Sequence, residues 1–409
     1  MKKWILILAA MTFALAVPVY AQNDTPAAPK FKDLPVNHWA YEPIMLGVHK
    51  GYIKGGTDGT FRPHDSVTVA EFIKMTFMSL TDNSSGFVWW GDQYLAMIPE
   101  WYQSSFNSGT VNFEQGSPWY SNYIATAQNL GIISDEYAGR YDEPLTRERA
   151  AKILNNVDDI FHGPFSREYA MIAGAQLFKD FNRSDTYFQE YIGDVALRGI
   201  MNGNEQGYFN PKATITRAEA AQICMVLADD SLRKKTEVNL AGVPYSTVPL
   251  PGYGSMTFVF ANEEMKMVYD NMYARQKDYP GATNAYTGQL LYYKNEGFKL
   301  KGFEDTFYVN LHEPTTSDFG ISFTGNVYTM TISTEIGMFE RATDDINYFS
   351  SLIFKDSIGE FFTEVKVTLQ SARTNKYNQS SKIIEGRQVI INSYTDFINV
   401  GISAYQDKI

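Results

Sequence analysis

The sequence predicts two units of different class: an all-α unit built from internal repeats, and an α+β domain with a mainly antiparallel sheet. Three observations support this. A helix–loop–helix pattern recurs around Thr68, Thr146 and Thr216, a Pro-containing stretch follows at 231–251, and helix and strand periods mix from residue 252 onward. With 409 residues and 44% hydrophobic content, the chain is large enough for more than one core.

The first 21 residues have the pattern of a secretory signal peptide. Lys2 and Lys3 precede an apolar run from Trp4 to Val17, and Ala21 ends the segment. The run is short for a membrane span, although a retained anchor helix is the alternative interpretation. We therefore expect a signal peptide at 1–21, a short leader at 22–30 and an exported protein without a transmembrane span.

Charge and cysteine content exclude several classes of protein. The chain has 35 Lys and Arg against 46 Asp and Glu, a net charge of −11, which speaks against a nucleic-acid binder. Its one cysteine, Cys224, rules out an intramolecular disulfide framework and a cysteine-based zinc site, and its place on an apolar helix face indicates a core residue. We predict no cofactor and no metal site.

Three repeats cover most of the first half. We place repeat 1 at 31–80, repeat 2 at 114–160 and repeat 3 at 161–230. Repeats 1 and 3 share a Phe-Lys-Asp opening and a Phe-x-Pro segment, which repeat 2 lacks. Between repeats 1 and 2 lies an aromatic-rich insert, 81–113, which either forms a sugar-binding or subunit contact or fills space beneath a long loop.

Each repeat predicts two helices with defined ends. Gly51, Gly131 and Gly199 terminate the first helices, since glycine accepts the left-handed conformation of a helix end. Thr68 and Thr216 begin the second helices in capping boxes with a glutamate three residues later. Repeat 2 has arginine at that third position, so Thr146 should keep its own cap and lose the reciprocal bond.

These features together resemble the S-layer homology domain, a module that attaches exported proteins to bacterial cell envelopes. They comprise the Phe-x-Asp opening, His38-Trp39-Ala40, the Gly-Tyr-Ile type of helix end, Gly-x-Phe-x-Pro, and Thr-Arg-Ala-Glu at 216–219. The resemblance implies that three modules pack around a pseudo-threefold axis and bind secondary cell-wall polysaccharide, often pyruvylated, in grooves between modules. Val69 departs from the arginine of the family pattern.

Arginine at a helix start is suited to bind a carboxylate. Arg147 and Arg217 follow Thr146 and Thr216, beside exposed backbone amides and the positive end of the helix dipole, and a guanidinium offers a planar fork. A pyruvate ketal on a sugar carries such a carboxylate. We predict a polysaccharide site that includes both arginines, both threonines and Glu219. The alternative for the arginines is a solvated surface charge.

Aromatic and acidic side chains complete the predicted site. Trp39 and Trp119 can stack on the apolar face of a sugar, and Asp33 and Asp180 can accept hydroxyl hydrogen bonds. The alternatives are core packing for the two tryptophans and a cap or turn role for the two aspartates.

Residues 231–251 read as a linker, and residues 252–409 as an α+β domain that resembles no family we recognise. Its predicted strands and helices are, in order, Met256–Ala261, Glu263–Lys277, Gln289–Leu300, Thr306–Leu311, Val327–Ser333, a helix that includes Ile358–Leu369, and Arg387–Ser403. We find no catalytic motif, and adjacent acids such as Glu263 and Glu264 read as helix caps.

The sequence therefore predicts a cell-wall or cell-surface protein, anchored by three modules and displaying a binding or structural domain. An anchored polysaccharide hydrolase and a self-associating S-layer subunit are the alternatives.

Overall fold

The computed structural model describes residues 31–82, 89–90, 117–250, 252–286, 288–299, 317–374 and 377–404. The predicted signal peptide and leader, most of the aromatic insert and the strand predicted at 306–311 lie outside these ranges.

The first half is helical, and it contains the two helices predicted for each repeat together with one further helix. Their bounds are α1 Tyr41–His49, α2 Val69–Ser79, α3 Ser121–Asn129, α4 Arg147–His162, α5 Arg167–Leu177, α6 Thr186–Leu197 and α7 Arg217–Leu227, with a two-residue ladder of β1 Thr81–Asp82 and β2 Trp89–Trp90 after α2. All three repeats contribute to one core, in which Phe72, Leu154 and Cys224 are fully buried. Burial raises the pKa of the Cys224 thiol to about 12.

A cycle of backbone hydrogen bonds joins the three repeats just before their second helices. The N–H of Val67 donates to the carbonyl of Ile215 at 2.9 Å, Ile215 donates to Leu145 at 2.9 Å, and Leu145 donates back to Val67 at 3.0 Å. Each repeat thus gives one bond and receives one. The second helices α2, α4 and α7 therefore begin side by side.

The helix ends confirm most of the predicted capping. Gly51, Gly131 and Gly199 all have positive φ, and Thr68 and Thr216 both form complete capping boxes. The cap predicted for Thr146 is wrong, because its buried hydroxyl has no hydrogen-bond partner in the described part of the chain. In repeat 3, Glu219 also accepts a hydrogen bond from the Thr216 hydroxyl and so fixes the orientation of that hydroxyl. Repeat 2 has Arg149 at this position, which offers no acceptor.

Helix α5 was not predicted. It precedes the Phe-Lys-Asp opening of repeat 3 and lies against α6. The approach is close at Gly193, where a Cβ atom would stand 1.8 Å from the carbonyl oxygen of Ala170. Glycine at this position is what allows the two backbones to meet.

Among its described residues, the second half has an antiparallel sheet of seven strands: β5 Ala282–Tyr286, β6 Gln289–Tyr293, β7 Ser317–Thr324, β8 Val327–Ser333, β9 Gln379–Ile384, β10 Arg387–Ser393 and β11 Phe397–Ser403. Their order in the sheet is β5-β6-β7-β8-β11-β10-β9. Helices α8 Glu263–Arg275, α9 Met338–Ile353 and α10 Ile358–Arg373 pack on one face, so the α+β prediction is confirmed.

Some elements of this domain differ from the prediction. The strand predicted at 387–403 is a hairpin, because the chain reverses direction at Tyr394 and β11 pairs antiparallel with β10. Strand β6 ends at Tyr293 rather than at residue 300. Helix α9 and strands β5, β7 and β9 were missed.

The segment predicted as a linker is held against both units. A hairpin of β3 Tyr245–Leu250 and β4 Gly254–Val259 occupies its end, so the boundary placed at 251 falls inside a structural element. The Tyr253 hydroxyl of this hairpin donates to the carbonyl of Ile160 in α4 at 2.9 Å. Earlier in the segment, Asn239 exchanges two hydrogen bonds with Gln176 of α5.

Candidate functional site

The aspartates of the Phe-Lys-Asp openings hold the loops that lead into the second helices. Asp180 accepts from the backbone N–H groups of Phe209 and Asn210, both at 2.8 Å, and Asp33 binds Phe61 and Arg62 in the same way at 2.7 Å. Burial alone would raise the pKa of Asp33, but these backbone bonds outweigh it and lower the pKa. This placement fits the turn role that was the alternative for both residues.

The arginines at the helix starts reach into the neighbouring repeat. The Arg217 guanidinium donates to the carbonyls of Phe61 at 2.9 Å and Lys54 at 2.8 Å, and it lies 4.8 Å from the centre of the Phe61 ring. Two further contacts of the same kind come from Arg147, which donates to the carbonyls of Phe209 at 2.7 Å and Asn202 at 3.1 Å. Both arginines therefore close a junction between two repeats.

A cavity of about 200 Å³, cavity A, opens at the junction of repeats 3 and 1. Arg217 lines it from repeat 3, and the helix end and α2 of repeat 1 supply most of its wall. Trp119, from repeat 2, is 46% exposed, and the Lys74 ammonium lies 5.5 Å from the centre of its ring. The cavity is lined by Tyr52, Ile53, Lys54, Phe61, Glu71, Lys74, Met75, Trp119 and Arg217.

A second cavity of about 350 Å³, cavity B, lies at the junction of repeats 2 and 3. It is built from equivalent positions: Arg147 stands where Arg217 stands in cavity A, and Trp39, which is 59% exposed, stands where Trp119 stands. Glu219 and Gln222 of α7 correspond to Glu71 and Lys74 of α2. Each cavity therefore takes side chains from all three repeats.

The two cavities differ in charge. Cavity A has three cations, Lys54, Lys74 and Arg217, against one carboxylate. Cavity B has two cations, Arg147 and Lys234, against one carboxylate, and there the Arg147 guanidinium is ion-paired with Glu219 at 3.1 Å. Burial lowers the pKa of both arginines from the ordinary arginine value, and nearby carboxylates oppose this shift. Among the described residues, Arg217 has no ion-pair partner.

The structure brings together part of the predicted site. Arg217 and Trp119 meet in cavity A, and Arg147, Trp39 and Glu219 meet in cavity B. Thr146, Thr216, Asp33 and Asp180 line neither cavity. Sequence reasoning missed Lys54, Lys74 and Gln222. The signal for the last two was their shared position, six residues after the capping threonine.

Membrane-spanning helices and metal clusters are both absent from the described ranges. None of the helices there combines the length and the apolar character that a bilayer crossing requires. In the same ranges, no group of three or more His, Cys, Asp or Glu side chains is placed to hold a metal ion.

Two of the repeats match a known protein family. Residues 30–73 and 177–221 match the S-layer homology domain, which corresponds to repeats 1 and 3. Domains of this kind bind cell-wall polysaccharide in general.

Similar proteins include both enzymes and S-layer proteins. The chain is 28% identical over 209 residues to an amylopullulanase of Thermoanaerobacterium thermosulfurigenes, which is 49% of this chain and 10% of that protein. It is 27% identical over 209 residues to exoglucanase XynX of Acetivibrio thermocellus, with 49% and 16% covered. It is 28% identical over 236 residues to S-layer protein EA1 of Bacillus anthracis, with 56% and 22% covered. The matches thus span less than a quarter of each relative, and together with the two domain matches they identify a cell-surface or cell-wall protein.

Proposed function

We propose that the helical unit attaches this exported protein, without a covalent bond, to pyruvylated secondary cell-wall polysaccharide. In this proposal the second half is the displayed domain, and the three repeats act as three modules around a pseudo-threefold axis. The cyclic hydrogen bonds among Val67, Leu145 and Ile215 support that arrangement.

The observation that carries the proposal is the repeated construction of cavities A and B. In both, an exposed tryptophan lines a cavity that is also lined by an arginine from a different repeat. Indole offers a flat surface to the apolar face of a sugar, and guanidinium and ammonium groups bind carboxylates. Cationic lining is notable in a chain of net charge −11, because an acidic ligand needs a local positive site.

Sedimentation of the full chain with purified sacculi tests the proposal. Trp39→Ala and Trp119→Ala should each weaken binding about two- to tenfold, and removal of the pyruvate groups from the sacculi should weaken it further. Tyr377→Ala, which removes a still more exposed aromatic residue in the second half, should bind like the parent. Unchanged binding by the double tryptophan variant would contradict the proposal.

Self-association through the sheet is a second candidate, supported by one observation. The face of the seven-stranded sheet opposite the helices carries no charged side chain among its described residues: its centre is formed by Thr329, Thr331, Asn399, Gly401 and Ile390. Two copies of an acidic chain can meet at such a face without charge repulsion. Thr329→Lys should abolish concentration-dependent association in sedimentation velocity, and a parent chain that stays monomeric would exclude this candidate.

A further inference from the structure

Two features of cavity A, a lysine and an aromatic residue, recur at repeat 2, where we name the third site groove C; Val69 stands at the position of the arginine. Its lysine is Lys152, at the position of Lys74 in cavity A. Its aromatic residue is Tyr187, twelve residues before a helix-ending glycine, as Trp39 and Trp119 are. The lysine and the aromatic ring again meet, with 4.9 Å between the Lys152 ammonium and the centre of the Tyr187 ring.

Groove C already contains a carboxylate of the chain itself. The Lys152 ammonium lies 2.7 Å and 2.6 Å from the two carboxylate oxygens of Glu136, and it donates to the Tyr187 hydroxyl at 2.7 Å. The Tyr187 hydroxyl is also 3.4 Å from the Glu136 carboxylate. As a result the Lys152 side chain is only 7% exposed.

The loop of repeat 2 explains why Glu136 reaches this place. From the helix-ending glycine to the capping threonine, repeat 2 is two residues shorter (131 to 146) than repeats 1 and 3 (51 to 68 and 199 to 216). The shortened loop forms a 3₁₀ turn at Asp135–Tyr137. Tyr137 is buried in the core, and Glu136 beside it faces the lysine.

A carboxylate that belongs to the chain competes for Lys152 much better than a carboxylate in solution. Because Glu136 is part of the same chain, its effective concentration at Lys152 is on the order of millimolar or higher. Both carboxylate oxygens contact the ammonium in a site that is largely removed from water, where such a pair is strong. A dissolved acidic sugar would have to displace this pair before it could bind.

We propose that Glu136 is a built-in occupant of groove C, in the place that the acid group of a wall sugar takes beside Lys74 in cavity A. The chain then offers two open cavities to wall polysaccharide and a third that opens only when this carboxylate is removed. The proposal rests on the proposed function, and it adds that Glu136 closes the third site to the ligand's carboxylate.

Lysine acetylation followed by peptide mass spectrometry tests this on the full chain. The probe is the pyruvylated oligosaccharide released from purified sacculi. In the parent, Lys152 should react on the order of tenfold more slowly than it does in Glu136→Gln. The oligosaccharide should slow the acetylation of Lys74 and leave the acetylation rate of Lys152 unchanged. In Glu136→Gln, Lys152 should become reactive and should then be protected by the oligosaccharide. Asp135→Asn removes the same charge one residue away and should behave like the parent.

The outcomes separate this proposal from the proposed function. If the oligosaccharide protects Lys74 but not the exposed Lys152 of Glu136→Gln, the occupancy of groove C is wrong and wall binding stands. If it protects neither lysine, both proposals fail. Native mass spectrometry of the parent gives a measurement that does not depend on the variant's folding. Two bound oligosaccharides are expected, and a third would overturn the proposal.

Discussion

The guanidinium of Arg217 crosses from repeat 3 to repeat 1 and donates to the carbonyl of Phe61, over whose ring it also lies. One side chain therefore joins two repeats and lines cavity A. Any change at Arg217 acts on the junction as well as on the ligand, so affinity and stability have to be measured together.

We predict that Arg217→Ala weakens binding to sacculi by about ten- to hundredfold, because a charge-assisted contact is lost. Arg147→Ala should have a smaller effect, since Glu219 already neutralises that arginine. The pair should nearly abolish binding. Sedimentation with sacculi, with and without removal of pyruvate, is the measurement.

The matched control for this prediction is Val69→Ala, at the equivalent helix start of repeat 1. Val69 is fully buried, so the variant should lose some stability and keep its affinity. A double arginine variant that is folded and binds as well as the parent would rule out the carboxylate-clamp mechanism.

Asp180 should be important for stability because it satisfies two backbone amides near a strained residue. Asn210, one of its partners, has φ of 58°. Asp180→Ala should lower the free energy of unfolding by about 2–3 kcal/mol, since it leaves these N–H groups without an acceptor. Denaturant unfolding measures this. Glu205→Ala, an exposed carboxylate in the same loop, is the control, and equal losses for the two variants would disprove the assignment.

The Thr146 hydroxyl, which has no hydrogen-bond partner among the described residues, offers a site for a stabilising substitution. Arg149→Glu would place a carboxylate where Glu71 and Glu219 complete the boxes of the other repeats. We expect a gain of about 0.5–2 kcal/mol in the free energy of unfolding, from the completed box and the helix dipole. Arg149→Ala separates this gain from the mere loss of arginine. If the two variants are equally stable, the box has not formed.

His162 should make stability depend on pH. Its ring nitrogens lie 3.1 Å from Asp158 and 2.9 Å from Asp230. Burial alone would lower the pKa of His162, but the hydrogen bond and charge of Asp158 outweigh it and raise the pKa. The protonated ring therefore stabilises the folded state fully below the unfolded value of about 6.5, and this contribution is lost as the pH rises through the folded pKa.

Thermal unfolding at several pH values tests this. The parent should exceed His162→Gln in stability at pH 5.5, and the difference should shrink towards pH 9. His49→Gln, at the exposed end of α1, should give no such trend. A difference between the parent and His162→Gln that is constant with pH would show that the ring acts only through packing.

Local signals in the sequence predict much of the fold because their causes are local. The capping boxes at Thr68 and Thr216 and the glycine helix ends depend on a few neighbouring residues, and the structure confirms them. Strand β8 begins at Val327 and ends at Ser333, as the alternation of its sequence predicts. Hairpin β10–β11 reads as one long strand, since its turn lacks the glycine or proline that would mark it.

The cavities depend on packing between distant residues, which periodicity does not reveal. Trp39 belongs to repeat 1 but serves cavity B, and Trp119 belongs to repeat 2 but serves cavity A. Arg147 donates to the carbonyl of Phe209, which is 62 residues away in the chain. Residue type predicts that these side chains suit a sugar acid, and only the arrangement of the three repeats determines which of them meet.

The hydrogen-bond cycle through Val67, Ile215 and Leu145 also limits how such a unit can evolve. A linear array of repeats can gain or lose a copy at its end, because each copy contacts only its neighbours. A closed cycle has no end. Deleting repeat 1 would break two of the three bonds, and it would remove Trp39 from cavity B and Lys74 from cavity A in one step. We therefore expect repeats to be gained or lost in whole sets of three, whereas the sequence of a single repeat can change without loss of the cycle.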